Sequence, residues 1–141
     1  MNPAMPAING LLETAIYVED VQRAAAFYRR LFGFETLLES ERLVALDVAG
    51  KDVLLLFKKG ATTKPFATSG GVIPPHDGSG ATHFAFSTSK NELPQWKQRL
   101  ESEGVAIEST VTWDGGAESL YFRDPDGHLV ELITPGFWRN Y

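Results

Sequence analysis

The hydrophobic positions of the chain fall into two segments that repeat the same order of predicted elements. In the first, an apolar run at 11–18 precedes a stretch with apolar residues at helical spacing, and three short apolar runs follow. In the second, at 81–134, one run, one helical stretch and three further runs recur in the same order. Each segment is therefore predicted to form a β-α-β-β-β module, and the chain is predicted to be an internal duplication.

Both predicted helices have recognisable ends. The first begins after Asp20, a good N-cap residue, and stops at Gly33. The second begins close to Asn91, because Pro94 is tolerated only in a first helical turn, and it ends at Gly104. The predicted strands cover 11–18, 35–39, 43–48, 52–57, 81–88, 105–113, 117–122 and 128–134.

Residues 59–80 separate the two modules and are predicted to be one long connection. This stretch contains five glycines and three prolines, which favour turns and loops. Loops of this length within a compact domain are usually functional lids or linkers. We therefore predict one structural domain, with a first module at 11–58, this connection, a second module at 81–134 and a C-terminal tail at 135–141.

Three of the apolar runs contain one residue that could bind a metal ion. Glu131 interrupts the apolar run at 129–133, directly after a turn at 124–127. Glu13 stands near the start of the first run, and His83 stands near the start of the second module. Side chains alternate along a strand, so Glu13 and His83 each share a face with an alanine two positions on. An ionised carboxylate on a mostly buried strand is costly unless it is paired or coordinates a metal.

Each of these residues also has a purely structural interpretation. Glu131 could face solvent from a half-buried strand. Glu13 could pair with Arg123 or a neighbouring lysine, and His83 could be a hydrogen-bonded core histidine. The structural interpretation is preferred for each residue alone, but three such residues on three separate strands are harder to explain as coincidence than one.

Composition excludes several classes of function. The 141 residues, 43% of them hydrophobic and 22% charged, are typical of a single soluble globular domain. The formal net charge of −5 and the absence of a large basic cluster argue against a nucleic-acid partner. With no cysteine, the chain has no disulfide framework, thiolate metal site or cysteine nucleophile. We see no signal peptide and no apolar run of membrane-spanning length, so a cytoplasmic location without a membrane partner is expected.

Three segments of the chain carry a resemblance to a known superfamily. They are ETAIYVEDVQRAAAFYRRLFGF at 13–34, GATHFAFST at 80–88 and LYFRDPDGHLVELITP at 120–135. In these segments the chain resembles the vicinal-oxygen-chelate superfamily, which includes glyoxalase I, bleomycin-resistance proteins, fosfomycin-resistance enzymes and extradiol dioxygenases. The resemblance covers 11–137. It implies an α+β fold in which two βαβββ modules form an open, cupped β-barrel around a metal site.

The resemblance also implies roles for individual residues. His83 matches the histidine that opens the second module, Glu131 matches the carboxylate after the turn, and Glu13 stands where the first module normally has a histidine or another ligand. Glu131 and Glu13 are the implied catalytic residues. When the two halves are aligned, Leu54 corresponds to Glu131, so a fourth ligand would fall near Leu54 or Leu56. Its absence implies either a three-ligand site or a protein that has lost its metal.

The implied ligand set restricts the metal and the reaction. Two carboxylates and one imidazole suit Zn²⁺, Ni²⁺, Mn²⁺ or Mg²⁺, and Glu13 in place of a histidine counts against Fe²⁺ and dioxygenase chemistry. The expected function is that of a glyoxalase-like lyase or isomerase acting on a small oxygenated substrate that chelates the metal. Two alternatives stay open, a non-catalytic binding protein of the bleomycin-resistance kind and an extradiol-type dioxygenase. A homodimer is expected, in which the modules are exchanged or not exchanged between chains.

Further residues are candidates for the substrate pocket. His76 follows two prolines that could aim its imidazole into the cup, although an exposed loop histidine is the alternative. The other candidates, which could equally be core residues, are Tyr17, Ser87, Trp113, Tyr121 and Arg123. His128 is expected at the surface. The aromatic pair at 137–138 is expected against a partner or over the mouth of the cup.

Overall fold

Two four-stranded sheets, each with one helix, form most of the computed structural model, which describes residues 4–141. The first module consists of β1 (Glu13–Val18), α1 (Val21–Phe32), β2 (Thr36–Glu39), β3 (Leu43–Val48) and β4 (Asp52–Lys58). The second consists of β7 (His83–Ser87), α2 (Leu93–Ser102), β8 (Ser109–Thr112), β9 (Glu118–Arg123) and β10 (Leu129–Ile133). The strand orders, β1-β4-β3-β2 and β7-β10-β9-β8, are the same in both modules. The predicted α+β fold with two βαβββ modules is confirmed.

The connection between the modules contains a hairpin that the sequence analysis did not predict. Its strands are β5 (Phe66–Thr68) and β6 (Gly71–Ile73), which pair antiparallel to each other and to no other strand. Both strands are exposed. Each has only three residues, too few to show the alternation that identifies a half-buried strand.

The helix signals predict α1 well. Asp20 is the N-cap, and its Oδ1 accepts hydrogen bonds from the backbone N–H groups of Gln22 and Arg23 at 3.0 and 3.1 Å. Gly33 ends the helix with a φ of 72°, a conformation that only glycine adopts without cost. In α2 the first residue is Leu93, so Pro94 lies in the first turn as expected.

The hydrophobic core is shared by the two modules. The buried stripe of α1 packs against β3 and β4. Aromatic side chains of α1 also contact the second sheet, with the rings of Phe32 and Phe86 5.0 Å apart. The Arg99 guanidinium of α2 donates to the backbone carbonyl of Arg30 at 2.7 Å, which joins the two helices. The core therefore lies on the helix side of both sheets and holds the modules together.

The opposite side of each sheet points away from this core, and we call it the open face. On the first sheet the open face includes Glu13, Ala15 and Tyr17, and on the second it includes His83, Ala85 and Ser87. All of these residues except half-buried Tyr17 are exposed. Neither helix of residues 4–141 is long and apolar enough to cross a membrane.

The register of the parallel strands corrects one part of the predicted alignment. Ala15 on β1 pairs with Leu55 on β4, and Ala85 on β7 pairs with Glu131 on β10. Glu131 therefore corresponds to Leu55, and the predicted correspondence with Leu54 is wrong by one residue. Because a shift of one residue moves a side chain to the other face of a sheet, Leu54 faces the core, where it is 2% exposed.

The expectation that His128 lies at the surface is wrong, since this residue is only 1% exposed. Its Nδ1 donates to Oδ2 of buried Asp124 at 2.9 Å. The same carboxylate oxygen accepts a hydrogen bond from the Tyr28 hydroxyl of α1 at 2.7 Å. Burial, together with the Asp124 carboxylate, raises the pKa of Tyr28 well above its usual value. These satisfied polar groups link the first module to the turn of the second.

Candidate metal centre

His83 and Glu131 come together on the open face of the second sheet. They lie on the neighbouring strands β7 and β10, and His83 Nε2 is 3.2 Å from Glu131 Oε1. Glu131 is 6% exposed, whereas about half of the His83 side chain is exposed. The interpretation of Glu131 as a solvent-facing residue is therefore wrong, and so is that of His83 as a core histidine.

The orientation of the His83 ring is fixed by the backbone of the neighbouring strand. His83 Nδ1 is 2.9 Å from the carbonyl oxygen of Leu129, which can only accept a hydrogen bond. Nδ1 therefore carries the proton, and in the neutral imidazole Nε2 presents a lone pair beside the Glu131 carboxylate. Metal-binding histidines are typically oriented in this way by a hydrogen bond from their other ring nitrogen.

Glu131 is held at its second carboxylate oxygen. The Ser119 hydroxyl of β9 donates to Glu131 Oε2 at 2.5 Å, and the indole Nε1–H of Trp113 donates to Ser119 Oγ at 2.9 Å. Ser119 is 1% exposed, so this bond is shielded from water. Ser119 was not predicted as a site residue from the sequence, although the alternation along β9 places it on the same face as Tyr121.

The pair fits a divalent metal ion. Two ligand atoms that each lie about 2.1 Å from one ion are about 3.0–3.4 Å apart at angles between a right angle and a tetrahedral one. The observed separation of 3.2 Å between His83 Nε2 and Glu131 Oε1 falls in this interval. One imidazole nitrogen and one carboxylate oxygen are ligands common to zinc, nickel and manganese sites.

Glu13 is not part of this pair within one chain. It is exposed at the start of β1, on the open face of the first sheet. Among residues 4–141, no three histidine, cysteine, aspartate or glutamate side chains are grouped so that they could hold a metal ion. The expected ion pair between Glu13 and Arg123 is wrong, because Arg123 pairs instead with Glu108 at 3.0 Å. The structure thus brings two of the three predicted ligands together and leaves the third apart.

His76 and Tyr17 form a second polar group, on the first sheet. The Tyr17 hydroxyl is 2.6 Å from His76 Nδ1, and the rings of His76 and Phe57 are 4.7 Å apart. His76 is held at its backbone by Thr62, whose carbonyl accepts from the His76 N–H at 2.9 Å and whose hydroxyl donates to the His76 carbonyl. His76 is half-buried, so the alternative of an exposed loop histidine is wrong.

The segment after His76 passes close to the Tyr17 ring. A Cβ atom on Gly78 would lie 2.5 Å from Tyr17 Cδ2, so only glycine fits here without displacing the ring. Burial raises the pKa of Tyr17 above its usual value, and the nearby Asp77 carboxylate raises it further by a smaller amount. The connection between the modules therefore covers part of the open face of the first sheet.

The other predicted pocket residues lie on or beside the open face of the second sheet. The Tyr121 ring is 6.2 Å from the His83 ring, and burial followed by the Glu131 carboxylate raises the pKa of Tyr121. Ser87 and Arg123 are exposed. In the tail, the Phe137 ring packs 4.3 Å from the Trp113 ring, and Trp138 is 61% exposed.

Known proteins share both the sequence pattern and the fold. The chain is 30% identical over 128 residues to metallothiol transferase FosB of Bacillus licheniformis, and the match covers 90% of this chain and 76% of that protein. It is 31% identical over 121 residues to catechol-2,3-dioxygenase of Bacillus subtilis, covering 83% of this chain but only 38% of that protein. The crystal structure of lactoylglutathione lyase from Agrobacterium tumefaciens superposes with a TM-score of 0.86 at 34% identity, covering 95% of this chain and 99% of that one.

A family model also matches most of the chain. The match runs over residues 10–132, which include β1 with Glu13, β7 with His83 and β10 with Glu131. It confirms the resemblance stated from the sequence. The chain belongs to the Glyoxalase/Bleomycin resistance protein/Dioxygenase superfamily.

Proposed function

We propose that this protein is a divalent-metal-dependent enzyme, a glyoxalase-like lyase or isomerase that acts on a small oxygenated substrate. The observation that carries this proposal is the oriented pair of half-exposed His83 and buried Glu131, whose Nε2 and Oε1 atoms are 3.2 Å apart. The similarity to a metallothiol transferase and to a lactoylglutathione lyase supports a metal-linked reaction of a thiol-bearing substrate. The similarity to a catechol dioxygenase carries less weight, because this chain spans 38% of that protein.

The third ligand in this proposal is Glu13 of the partner subunit in a homodimer. Glu13 occupies the place in the first module that His83 occupies in the second, and it is exposed on an open face. Packing the open face of one copy's first sheet against the open face of the other copy's second sheet would bring the three residues together. A two-fold axis would then generate two identical sites.

The two carboxylates are suited to different tasks. Glu131 is engaged at both oxygens, by His83 and by Ser119, which suits a fixed ligand. Glu13 is exposed, and its side chain takes part in no hydrogen bond or ion pair among residues 4–141, so one of its oxygens would be free to move a proton while the other binds the metal. A bound divalent ion would stabilise negative charge that develops on a substrate oxygen.

Tyr17 and His76 are proposed to border the substrate on the first module's side. They lie on the same open face as Glu13, and the hydrogen bond between the hydroxyl and the imidazole, 2.6 Å long, holds the two side chains together. Tyr121 is proposed to border the substrate from the second sheet, beside His83. The pocket would thus have one wall from each module.

Metal titration followed by a substrate screen tests this function. Metal-free protein is titrated with Zn²⁺, Ni²⁺, Mn²⁺, Mg²⁺ and Fe²⁺ in competition with a fluorescent chelator. Each loaded form is then assayed without oxygen on methylglyoxal–thiol hemithioacetals and small epoxides, with catechols as the control. We expect turnover of an oxygenated substrate with a redox-inert ion. Oxygen-dependent ring cleavage of a catechol by the Fe²⁺ form would contradict the proposal.

A binding protein without catalysis is the second candidate. A cavity of about 700 Å³ lies between the modules, with aromatic walls that include Phe32, Phe86 and Trp96. Neither His83 nor Glu131 lines this cavity, so a ligand could occupy it independently of a metal. Tight binding of an aromatic ligand by metal-free protein, with no turnover of any substrate tested, would favour this function over the enzyme.

A further inference from the structure

The C-terminal tail and the metal-ligand pair are connected through three side chains that the proposed reaction does not use. The Phe137 ring packs 4.3 Å from the Trp113 ring. The Trp113 indole N–H donates to Ser119 Oγ at 2.9 Å, and the Ser119 hydroxyl donates to Glu131 Oε2 at 2.5 Å. A continuous series of contacts therefore runs from the tail to the carboxylate beside His83.

The hydrogen bonds in this series have one possible direction. An indole N–H is only a donor, so Ser119 Oγ must accept from Trp113. The single hydroxyl proton of Ser119 is then available for Glu131 Oε2, which must act as the acceptor. Without Trp113 the hydroxyl could rotate to other partners, whereas with it the hydroxyl points at the carboxylate.

We propose that Ser119 and Trp113 are positioning residues for the metal ligand Glu131, and that Phe137 keeps Trp113 in place. By occupying Oε2, Ser119 leaves Oε1 as the oxygen that faces His83 Nε2. The carboxylate is thereby prepared to bind through one oxygen, Oε1. This inference rests on the proposed metal site, and its tests separate the two.

The backbone around Trp113 supports this arrangement. The Trp113 N–H donates to the Ala117 carbonyl at 2.8 Å, which fixes the turn that leads into β9 and Ser119. The tail is anchored by its own bonds, from the Gly136 N–H to the Tyr141 carbonyl at 2.9 Å and from the Tyr141 hydroxyl to the Thr88 carbonyl at 3.3 Å. Both ends of the Trp113–Phe137 contact are therefore held.

The first test needs no metal. The chain has three tryptophans, so ¹H–¹⁵N spectra of the metal-free protein contain three indole resonances, which single Trp→Phe variants assign. We expect Ser119→Ala to shift the Trp113 indole proton upfield, because its acceptor is lost, and to leave the Trp138 resonance unchanged. An unmoved Trp113 resonance in folded Ser119→Ala protein would overturn the inference.

The second test measures metal affinity by chelator competition. Loss of residues that orient a metal ligand typically weakens binding about 10- to 100-fold, and we expect this for Ser119→Ala. Trp113→Phe and Phe137→Ala should weaken binding in the same direction but less. Ser119→Thr keeps a hydroxyl and should restore affinity relative to Ser119→Ala. Trp138→Phe is the matched control: the Trp138 ring packs on Phe137 at 4.8 Å but makes none of the hydrogen bonds of the series, and phenylalanine keeps an aromatic ring there, so the variant should bind as wild type does.

The outcomes separate the two proposals. If wild type binds a divalent metal and Ser119→Ala and Trp113→Phe bind it equally tightly, the positioning role is wrong and the metal site stands. If wild type binds no divalent metal, the proposed function and the role of Ser119 in metal binding both fail, whatever the indole spectra show. A loss of affinity in Ser119→Ala, Trp113→Phe and Phe137→Ala, with Trp138→Phe unaffected, would support the inference.

Discussion

The two modules have the same backbone arrangement but very different open faces. Each pairs its first strand with its last in the same parallel register, so Glu13 corresponds to His83 and Leu55 corresponds to Glu131. The second module thus carries two adjacent groups that can bind a metal, whereas the first carries one. Strand register is set by the backbone and the core face, which leaves the open-face side chains free to diverge between the modules.

The surroundings of these groups differ as well. Glu131 is buried and hydrogen-bonded through Ser119, whereas Glu13 is exposed at the edge strand of its sheet. On the same face as Glu13, but four residues further along β1, the first module instead presents Tyr17, which contacts His76 under the connection. This difference is the reason for proposing that the second module binds the metal and that the first module of the other copy contributes further groups to the site.

The largest effect is expected when glutamate replaces each of two neighbouring leucines of β4, one on the core face and one on the open face. Leu54 is 2% exposed and faces the core, so Leu54→Glu should cost about 4 kcal/mol or more of unfolding free energy. Leu55 is half-buried on the open face, so Leu55→Glu should cost about 1 kcal/mol. Urea unfolding of both variants measures the difference. Equal losses would mean that the parallel register is wrong.

Removing the imidazole from the second module should eliminate the metal site. His83→Ala deletes a ligand, and we expect its metal affinity to fall by more than about 100-fold, beyond the usual loss for an orienting residue. Ser87→Ala, on the same face of the same strand, is the matched control and should bind metal as wild type does. Chelator competition gives both affinities. High-affinity binding by the His83 variant would place the metal elsewhere.

A smaller effect is expected where the modules are joined by a buried hydrogen bond. Tyr28→Phe removes the hydroxyl that donates to Asp124 Oδ2 at 2.7 Å and leaves a buried carboxylate with one donor fewer. The loss should be about 1–3 kcal/mol of unfolding free energy, with metal affinity unchanged. Tyr141→Phe is the control: it removes a hydroxyl that donates to the Thr88 carbonyl at 3.3 Å from an exposed residue, and it should cost about 0.5 kcal/mol or less. An unchanged free energy of unfolding in Tyr28→Phe would show that this hydrogen bond does not stabilise the fold.

How far the sequence predicts this structure depends on whether a feature is local. The repeated order of elements and the ends of α1 follow from periodicity, capping and turn residues, and the same patterns single out His83 and Glu131 as candidate ligands. The correspondence of Leu54 with Glu131 failed because turn glycines do not determine strand register to one residue. Ser119 was missed because a serine on a strand has no distinctive pattern until its neighbour across the sheet is known.

The position of Glu13 relative to His83 and Glu131 could not be predicted from local sequence patterns either. Its strand and its face were predicted, but its distance from His83 depends on how the two modules pack through their helices. That packing is set by long-range contacts between side chains of both modules. A pattern of single-residue spacings contains no information about it.

Mixing two defective variants tests whether each metal site takes ligands from two copies of the chain. Glu13→Ala retains His83 and Glu131, and His83→Ala retains Glu13, so each variant alone should lack the complete site. After subunit exchange, each mixed dimer should contain one intact site. Random pairing then predicts recovery of about one quarter of the wild-type metal sites in a two-fold symmetric dimer.

Metal stoichiometry of the exchanged mixture, measured beside each variant alone and wild type, gives the answer. Recovery near that fraction, with little metal bound by either variant alone, is the predicted result. A mixture that binds no more metal than the average of the two variants would contradict the claim, as would full-affinity binding by Glu13→Ala alone.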